Sequence, residues 1–126
     1  MLDVEKTQQK IVRSDMYALK NVEILSAEEL TLPKTARLHV KALGNSMVGA
    51  GIFANDLLIV DRSLEALDGH VILALIYGQF TLKRLQLTNG KMFLLPENNE
   101  YKSIPVTSDC DFKIVGVLTF NIHKHT

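Results

Sequence analysis

Two residues of this sequence carry side chains that could work together chemically: a serine in a glycine-rich turn and a lysine in an apolar strand. Ser46 lies in the stretch GNSMVGAG, which separates two apolar runs. Lys83 lies in GQFTLKRLQL, where strand alternation places it on the same face as Leu85 and Leu87. A tight turn can expose a serine hydroxyl as a nucleophile, and a neutral amine can remove its proton.

The position of Lys83 among leucines has two interpretations. Burying the charged form costs several kcal/mol, and most lysines avoid this by reaching the sheet rim or by pairing with a carboxylate. Alternatively, desolvation lowers the lysine pKa. A shift from about 10.4 to about 7 costs roughly 4.6 kcal/mol, which a folded domain can tolerate, and it yields a competent general base. The spacing of Ser46 and Lys83 along the sequence leaves both interpretations open, because the members of a Ser-Lys pair need to be close only in the folded structure.

The elements that position these two residues are predicted to be β-strands. RLHVKALG alternates apolar and polar residues, which predicts a half-buried strand running into the Ser46 turn. HVILALIYGQFTLKRLQL predicts a hairpin bent near Tyr77-Gly78-Gln79, and Asn89-Gly90 predicts another tight turn. KIVGVLTFNI is rich in β-branched and aromatic residues and predicts a closing strand. The fold class is therefore predicted to be mostly β.

The chain is predicted to divide into an arm and one domain. Residues 1–32 are assigned to an N-terminal arm, since the first part has no convincing apolar period. Ser26 and Glu29 have the spacing of a capping box, and Pro33 prevents continuation, so a short helix is expected near residues 27–31. Residues 33–126 are assigned to a single β domain because no linker interrupts them.

Composition restricts the class of protein. The chain has 126 residues, of which 47% are hydrophobic and 22% charged, as expected for a globular domain. Fourteen basic residues balance fourteen acidic ones, so direct DNA binding through bulk charge is not expected. No apolar run approaches the roughly 18 residues of a membrane span, and the polar N-terminus does not resemble a secretory signal. A single cysteine, Cys110, fits the reducing cytoplasm.

Other candidate sites have weaker support. A Ser-His-Asp triad would combine His39 or His70, which are expected at the surface, with one of three aspartates: Asp56, Asp61 or Asp68. Two further histidines, His123 and His125, make a weak metal site without cysteine or carboxylate support, so a solvated tail and no metal are expected. The Cys110 thiol has no activating neighbour and is expected to be inert. The sequence contains no phosphate loop or dinucleotide motif, so no cofactor is predicted.

The order of several motifs resembles the self-cleaving Ser-Lys peptidases of the LexA/UmuD family. In chain order these are GNSM with GI at 51–52, NDLLIVDRS, GQFTLKRLQL, LLPENNEY and IVGVL. The resemblance covers residues 33–122 and implies that Ser46 is the nucleophile and Lys83 the general base. It also implies a compact β-clip fold like that of LexA and signal peptidases. The backbone amides of Ser46 and Asn45 then become candidates for binding the oxyanion.

The resemblance also implies a role in the SOS response to DNA damage. UmuD-like members of the family are the most similar, which implies a cytoplasmic homodimer that serves an error-prone translesion DNA polymerase. Contact with a RecA–single-strand DNA filament would stimulate self-cleavage. A non-proteolytic dimeric binding module of the same fold is an alternative. The C-terminal domain of a LexA- or phage-type repressor is another, although residues 1–32 are too short for a helix-turn-helix domain.

The sequence departs from the family at the expected cleavage site. The family usually cuts an Ala-Gly or Cys-Gly bond in the N-terminal arm. The only Ala-Gly bond here is Ala50-Gly51, which lies just behind the candidate nucleophile. Counting back from Ser46 places the family's scissile bond near Lys10-Ile11, where the side chains are large. The sequence therefore predicts a Ser-Lys pair with slow or absent self-cleavage.

Overall fold

The computed structural model describes residues 20–95, 97 and 103–125, which form an antiparallel sheet of eight strands. The strands are β1 (Val22–Ile24), β2 (Arg37–Ala42), β3 (Leu57–Asp61), β4 (Val71–Ile76), β5 (Gln79–Thr88), β6 (Lys91–Leu95), β7 (Ile104–Val106) and β8 (Phe112–Ile122). Two short 3-10 helices span Ala27–Thr31 and Val48–Ala50. The spatial order of the strands is β1-β2-β3-β8-β4-β5-β6-β7. This architecture confirms the predicted mostly β fold class.

Both tight hairpins expected from the sequence are present. β4 and β5 are joined through Tyr77 and Gly78, whose φ angles are 46° and 80°. β5 and β6 are joined through Asn89 and Gly90, whose φ angles are 52° and 74°. Two successive residues with positive φ are the mark of a turn whose twist matches that of the flanking strands. These turns set the register that directs Lys83 inward, since Ile76 pairs with Gln79 across the first turn.

The sheet curls, and as a result β4 is covered on both faces. Leu73 belongs to one group of buried residues, together with residues of β1, β2 and β3. Its strand neighbours Ile72, Ala74 and Ile76 belong to a second group, together with Leu85 of β5. Burial on both faces explains why the sequence VILALI is continuously apolar rather than alternating.

The sheet begins before residue 33. Val22–Ile24, which lies within the range assigned to the arm, forms β1 and pairs with β2. A strand of three residues with one buried side chain is too short to show a clear period, so the sequence did not reveal it. Residues 1–19 and the bond Lys10-Ile11 lie outside the described residues. The division of the chain into an arm and a domain stays a prediction.

A 3-10 helix, Ala27–Thr31, lies where a short helix is expected, but the predicted capping box is absent from this described segment. The side chain of Ser26 makes no capping bond. The Glu29 carboxylate instead accepts the backbone N–H of His39 over 2.9 Å and bonds to its ring nitrogen over 2.6 Å. Arg62 donates to four backbone carbonyls at the end of the helix, those of Glu29, Leu30, Leu32 and Pro33. Contacts with β2 and with Arg62 therefore hold this helix.

No helix in the described part of the chain is long and apolar enough to cross a membrane.

Candidate active site

Ser46 lies in a turn that glycines and buried apolar contacts keep tight. Gly44 and Gly51, on either side of the serine, have φ angles of 72° and 80°, a region that favours glycine. Met47 is 3% exposed and packs into the core beneath the turn. The Ser46 side chain is itself enclosed, because the residue is 4% exposed. The turn thus holds the hydroxyl in a largely water-free environment.

Lys83 points into the protein from the middle of β5. The residue is 2% exposed, and Ile72, directly opposite it on β4, is fully buried. Thr81, which shares its face of the strand, is also fully buried. Burial disfavours the charged amine and lowers the pKa of Lys83 from 10.5 to about 8. The structure therefore supports the interpretation that Lys83 is buried with a lowered pKa, rather than extended to the sheet rim.

Asn21 connects the Ser46 turn to the strand that carries Lys83. Its Nδ2 donates to Ser46 Oγ over 2.8 Å and to the carbonyl of Leu82 over 2.7 Å. Its Oδ1 accepts the backbone N–H of Leu82 over 2.7 Å and the hydroxyl of Thr81 over 3.3 Å. One buried side chain therefore bonds to the candidate nucleophile and to the residue next to the candidate base. The Ser46 hydroxyl is held against the segment of β5 from which Lys83 projects.

A second connection runs through Glu97, which follows β6. Its backbone N–H donates to the carbonyl of Ser46 over 2.9 Å, and its carbonyl accepts the N–H of Gly49 over 2.6 Å. Its carboxylate forms an ion pair with Arg84, the neighbour of Lys83 on β5. A Cβ atom at Gly49 would lie 2.5 Å from the Glu97 carbonyl oxygen, so only glycine fits this close approach. Backbone contacts thus hold the Ser46 turn against the loop that follows β6.

The sequence named Ser46 and Lys83 as candidates but gave no sign of Asn21 or Glu97, which the structure places beside them. The bonds of Asn21 span 25 and 61 residues of sequence, and no local pattern marks its role. The oxyanion candidates, the amides of Ser46 and Asn45, lie in the same turn and stay a prediction. The roles of Ser46 as nucleophile and Lys83 as general base also stay predictions.

The residues proposed for a Ser-His-Asp triad have other partners. His39 pairs with Glu29, and the ring of His70 accepts the backbone N–H of Leu67 over 3.0 Å. Asp61 accepts hydrogen bonds from the hydroxyl and backbone of Ser63. These hydrogen bonds give the triad no support, since each candidate residue is engaged elsewhere.

The C-terminal segment NIHKHT is exposed along residues 121–125, as expected for a solvated tail, and its first residues are also bonded to the fold. Asp56 is fully buried and accepts hydrogen bonds from His123 Nδ1 over 2.5 Å and from Asn121 Nδ2 over 3.0 Å. The backbone N–H of Phe53 donates to the same carboxylate over 2.9 Å. Burial is the largest single effect and raises the pKa of Asp56, but these bonds together outweigh it, so the pKa lies below its ordinary value. The tail is held by a buried aspartate that lies far away in the sequence. The periodicity of the tail residues could not reveal such a partner.

The described residues contain no group of three or more histidine, cysteine or acidic side chains able to hold a metal ion. His125 contacts the ring of His123 edge-on, with 5.2 Å between the ring centroids. Burial raises the pKa of the Cys110 thiol, which keeps the thiol protonated and agrees with the expectation that it is unreactive.

Several known proteins are similar in sequence to this chain over more than half of its length. Residues 7–119 match the family described as Peptidase S24-like. LexA repressor 2 of Pseudomonas syringae pv. tomato is 38% identical over 93 residues, which are 74% of this chain and 46% of that relative. The LexA repressor of Bordetella parapertussis is 42% identical over 78 residues, which are 62% of this chain and 36% of that relative. The chain therefore spans less than half of the length of these curated relatives.

Proposed function

The chain belongs to the Peptidase S24 family, the LexA/UmuD family of self-cleaving Ser-Lys peptidases, and we propose that Ser46 and Lys83 form its catalytic pair. The observation that carries this proposal is the buried amine of Lys83, whose pKa is lowered to about 8. A lysine with this pKa is partly neutral near physiological pH and mostly neutral above about pH 8, so it can act as a general base. The Asn21 bridge, which ties Ser46 to the adjacent Leu82, supports the pairing.

The proposed reaction is hydrolysis of a peptide bond. Neutral Lys83 accepts the proton of the Ser46 hydroxyl while Oγ forms a bond to the carbonyl carbon of the substrate. The amides of Ser46 and Asn45 bind the oxyanion of the tetrahedral intermediate. The carbon–nitrogen bond then breaks, and protonated Lys83 gives its proton to the leaving amine. Water attacks the resulting ester with Lys83 again as the base, which releases the acid product and restores the Ser46 hydroxyl.

We expect the protein to cut a supplied peptide that contains an Ala-Gly bond faster than it cuts its own chain. The sequence before Ser46 contains no Ala-Gly or Cys-Gly bond, and the bond near Lys10-Ile11 has large side chains. The test is incubation at about pH 9, where most of the Lys83 amine is neutral, followed by mass spectrometry of protein and peptide. Absence of any fragment between about pH 7 and about pH 10 would argue against a peptidase.

That negative outcome would favour a second candidate function, a non-proteolytic binding module of the same fold. The specific observation in its favour is the missing small-residue–glycine bond in the segment before the nucleophile. In this case the protein would keep the S24 fold and its surfaces without using Ser46 as a nucleophile.

The proposed cellular role is that of a cytoplasmic LexA-like protein of the SOS response. Its relatives are named LexA repressors. The motif resemblance supports a UmuD-like accessory subunit of an error-prone DNA polymerase, with cleavage stimulated by a RecA–single-strand DNA filament. Addition of that filament to the purified protein should accelerate fragment formation, and an unchanged rate would contradict this partner.

We also expect the protein to form a homodimer, as members of the LexA-like family typically do. Phe120 and Ile122 on β8 are 67% and 55% exposed, and they pair in register with Ile59 and Leu57 of β3. Such an apolar strip favours association because water contact with it is unfavourable. Phe120→Glu should convert the dimer to a monomer in sedimentation velocity.

A matched control for this prediction is Leu67→Glu, which introduces the same charge at a loop leucine that is 51% exposed. Leu67→Glu should remain a dimer. If both variants, or neither, become monomeric at micromolar concentration, the β8 strip is not the specific contact surface.

A further inference from the structure

We propose that Asn21 is a positioning residue of this site and that its side-chain amide sets the direction of the Ser46 hydroxyl. The inference rests on the proposed function, since it takes Ser46 as the nucleophile. Asn21 is 5% exposed and precedes β1, in a part of the chain where the sequence suggested no chemistry. Its Nδ2 lies 2.8 Å from Ser46 Oγ.

The orientation of the Asn21 amide is fixed by the backbone of Leu82. The Leu82 N–H can only donate, and it lies 2.7 Å from Oδ1. The Leu82 carbonyl can only accept, and it lies 2.7 Å from Nδ2. Rotating the amide by half a turn would place Nδ2 against the Leu82 N–H and Oδ1 against the Leu82 carbonyl. Two donors would then face each other, as would two acceptors, and both buried hydrogen bonds would be lost. The group that faces Ser46 is therefore an N–H donor.

This orientation determines what the Ser46 hydroxyl can do. A hydroxyl has one hydrogen and two lone pairs, and Asn21 occupies one lone pair. The hydrogen must therefore point away from Asn21. Thr81, which shares the face of Lys83 on β5, bonds to Asn21 Oδ1 over 3.3 Å, so the amide lies on the lysine's side of the strand. Asn21 thus leaves the Ser46 hydrogen free to be directed toward Lys83, and its N–H stabilises negative charge developing on Oγ.

The sharpest test is Asn21→Asp, which keeps the shape of the side chain but replaces the donor by a carboxylate oxygen. With an Ala-Gly peptide supplied in trans, we expect kcat to fall about 100-fold while KM changes little. The change misdirects the nucleophile but leaves substrate binding intact. The carboxylate also favours the protonated form of Lys83, so the midpoint of the pH profile should rise by about one unit. A role limited to stability would leave this midpoint unchanged.

Two further variants complete the design. Asn21→Ala removes the donor without adding charge, so kcat should fall about 10-fold with no change in the midpoint of the pH profile. Because it also leaves the Leu82 backbone groups unpaired, rates are normalised to the folded fraction measured by circular dichroism. Asn121→Ala is the matched control: Asn121 also bonds to a backbone carbonyl, that of Gly51, but not to Ser46. It should keep kcat within about twofold and leave the midpoint unchanged.

The outcomes separate this inference from the proposed function. If the wild type cleaves the peptide and both Asn21 variants retain its kcat and pH midpoint, the positioning role is wrong and the peptidase stands. If the wild type cleaves nothing, the peptidase proposal fails, and the pKa of Lys83, measured by NMR of 13C-labelled lysine, tests the geometry alone. A higher Lys83 pKa in Asn21→Asp than in the wild type supports the arrangement, and an equal pKa overturns it.

Discussion

Ser46→Ala and Lys83→Met will each abolish cleavage of an Ala-Gly peptide, with rates reduced about 10⁴-fold or more. The first change removes the oxygen that forms the covalent bond to the substrate. The second removes the amine that accepts the proton from that oxygen, while methionine fills a similar volume in the buried position. Because both groups act in the same step, the double variant should be no slower than either single variant.

The wild-type rate should rise with pH to a plateau, with a midpoint near the pKa of Lys83, which burial lowers to about 8. Below this pH the amine is protonated and cannot accept a proton, so activity is lost in acid. Lys91→Met is the matched control, since Lys91 is an exposed lysine on β6. It should keep the wild-type rate and midpoint. Equal cleavage by wild type and Ser46→Ala would reveal a contaminating protease, and a midpoint near the ordinary lysine pKa would remove Lys83 as the base.

Lys83→Met will stabilise the folded protein by about 3 kcal/mol at neutral pH. The pKa of Lys83 is about 8 in the folded protein and 10.5 as its ordinary value. Between these values the unfolded chain binds more protons than the folded one, so the free energy of unfolding of the wild type rises with pH. Below about pH 8 the full penalty for a buried charged amine is present. Methionine carries no charge and has no such penalty. At low pH the variant is therefore more stable than the wild type by the size of that penalty.

The measurement is urea unfolding of wild type and Lys83→Met at neutral pH and at about pH 10.5. The two free energies of unfolding should differ most at neutral pH and converge at high pH, because the wild-type penalty is relieved there. Lys91→Met, which removes an exposed amine, should follow the wild-type curve throughout. A Lys83→Met variant that is less stable than the wild type at neutral pH would show that the amine is well satisfied in its charged form.

The sequence by itself indicated the longer strands and both tight turns, and it named Ser46 and Lys83 as the candidate catalytic pair. Alternation in RLHVKALG and the dipeptides Tyr77-Gly78 and Asn89-Gly90 are properties of neighbouring residues, and the observed strands and turns agree with them. The inward direction of Lys83 follows from the same parity, because one residue of register shift would turn it to the opposite face. The order of the motifs indicated the family, because motif order can be read from the linear sequence alone.

Only the tertiary structure decided which groups surround the candidate nucleophile. Four strands, β2, β3, β8 and β4, lie between β1 and β5 in the sheet, and yet Asn21, next to β1, bonds to Leu82 of β5. Curling of the sheet brings these distant segments together, just as packing brings His123 to Asp56 and Glu97 to the Ser46 turn. A side-chain bond of this kind depends on how the sheet closes on itself. Closure depends on the combined packing of residues throughout the chain, so no local pattern encodes it.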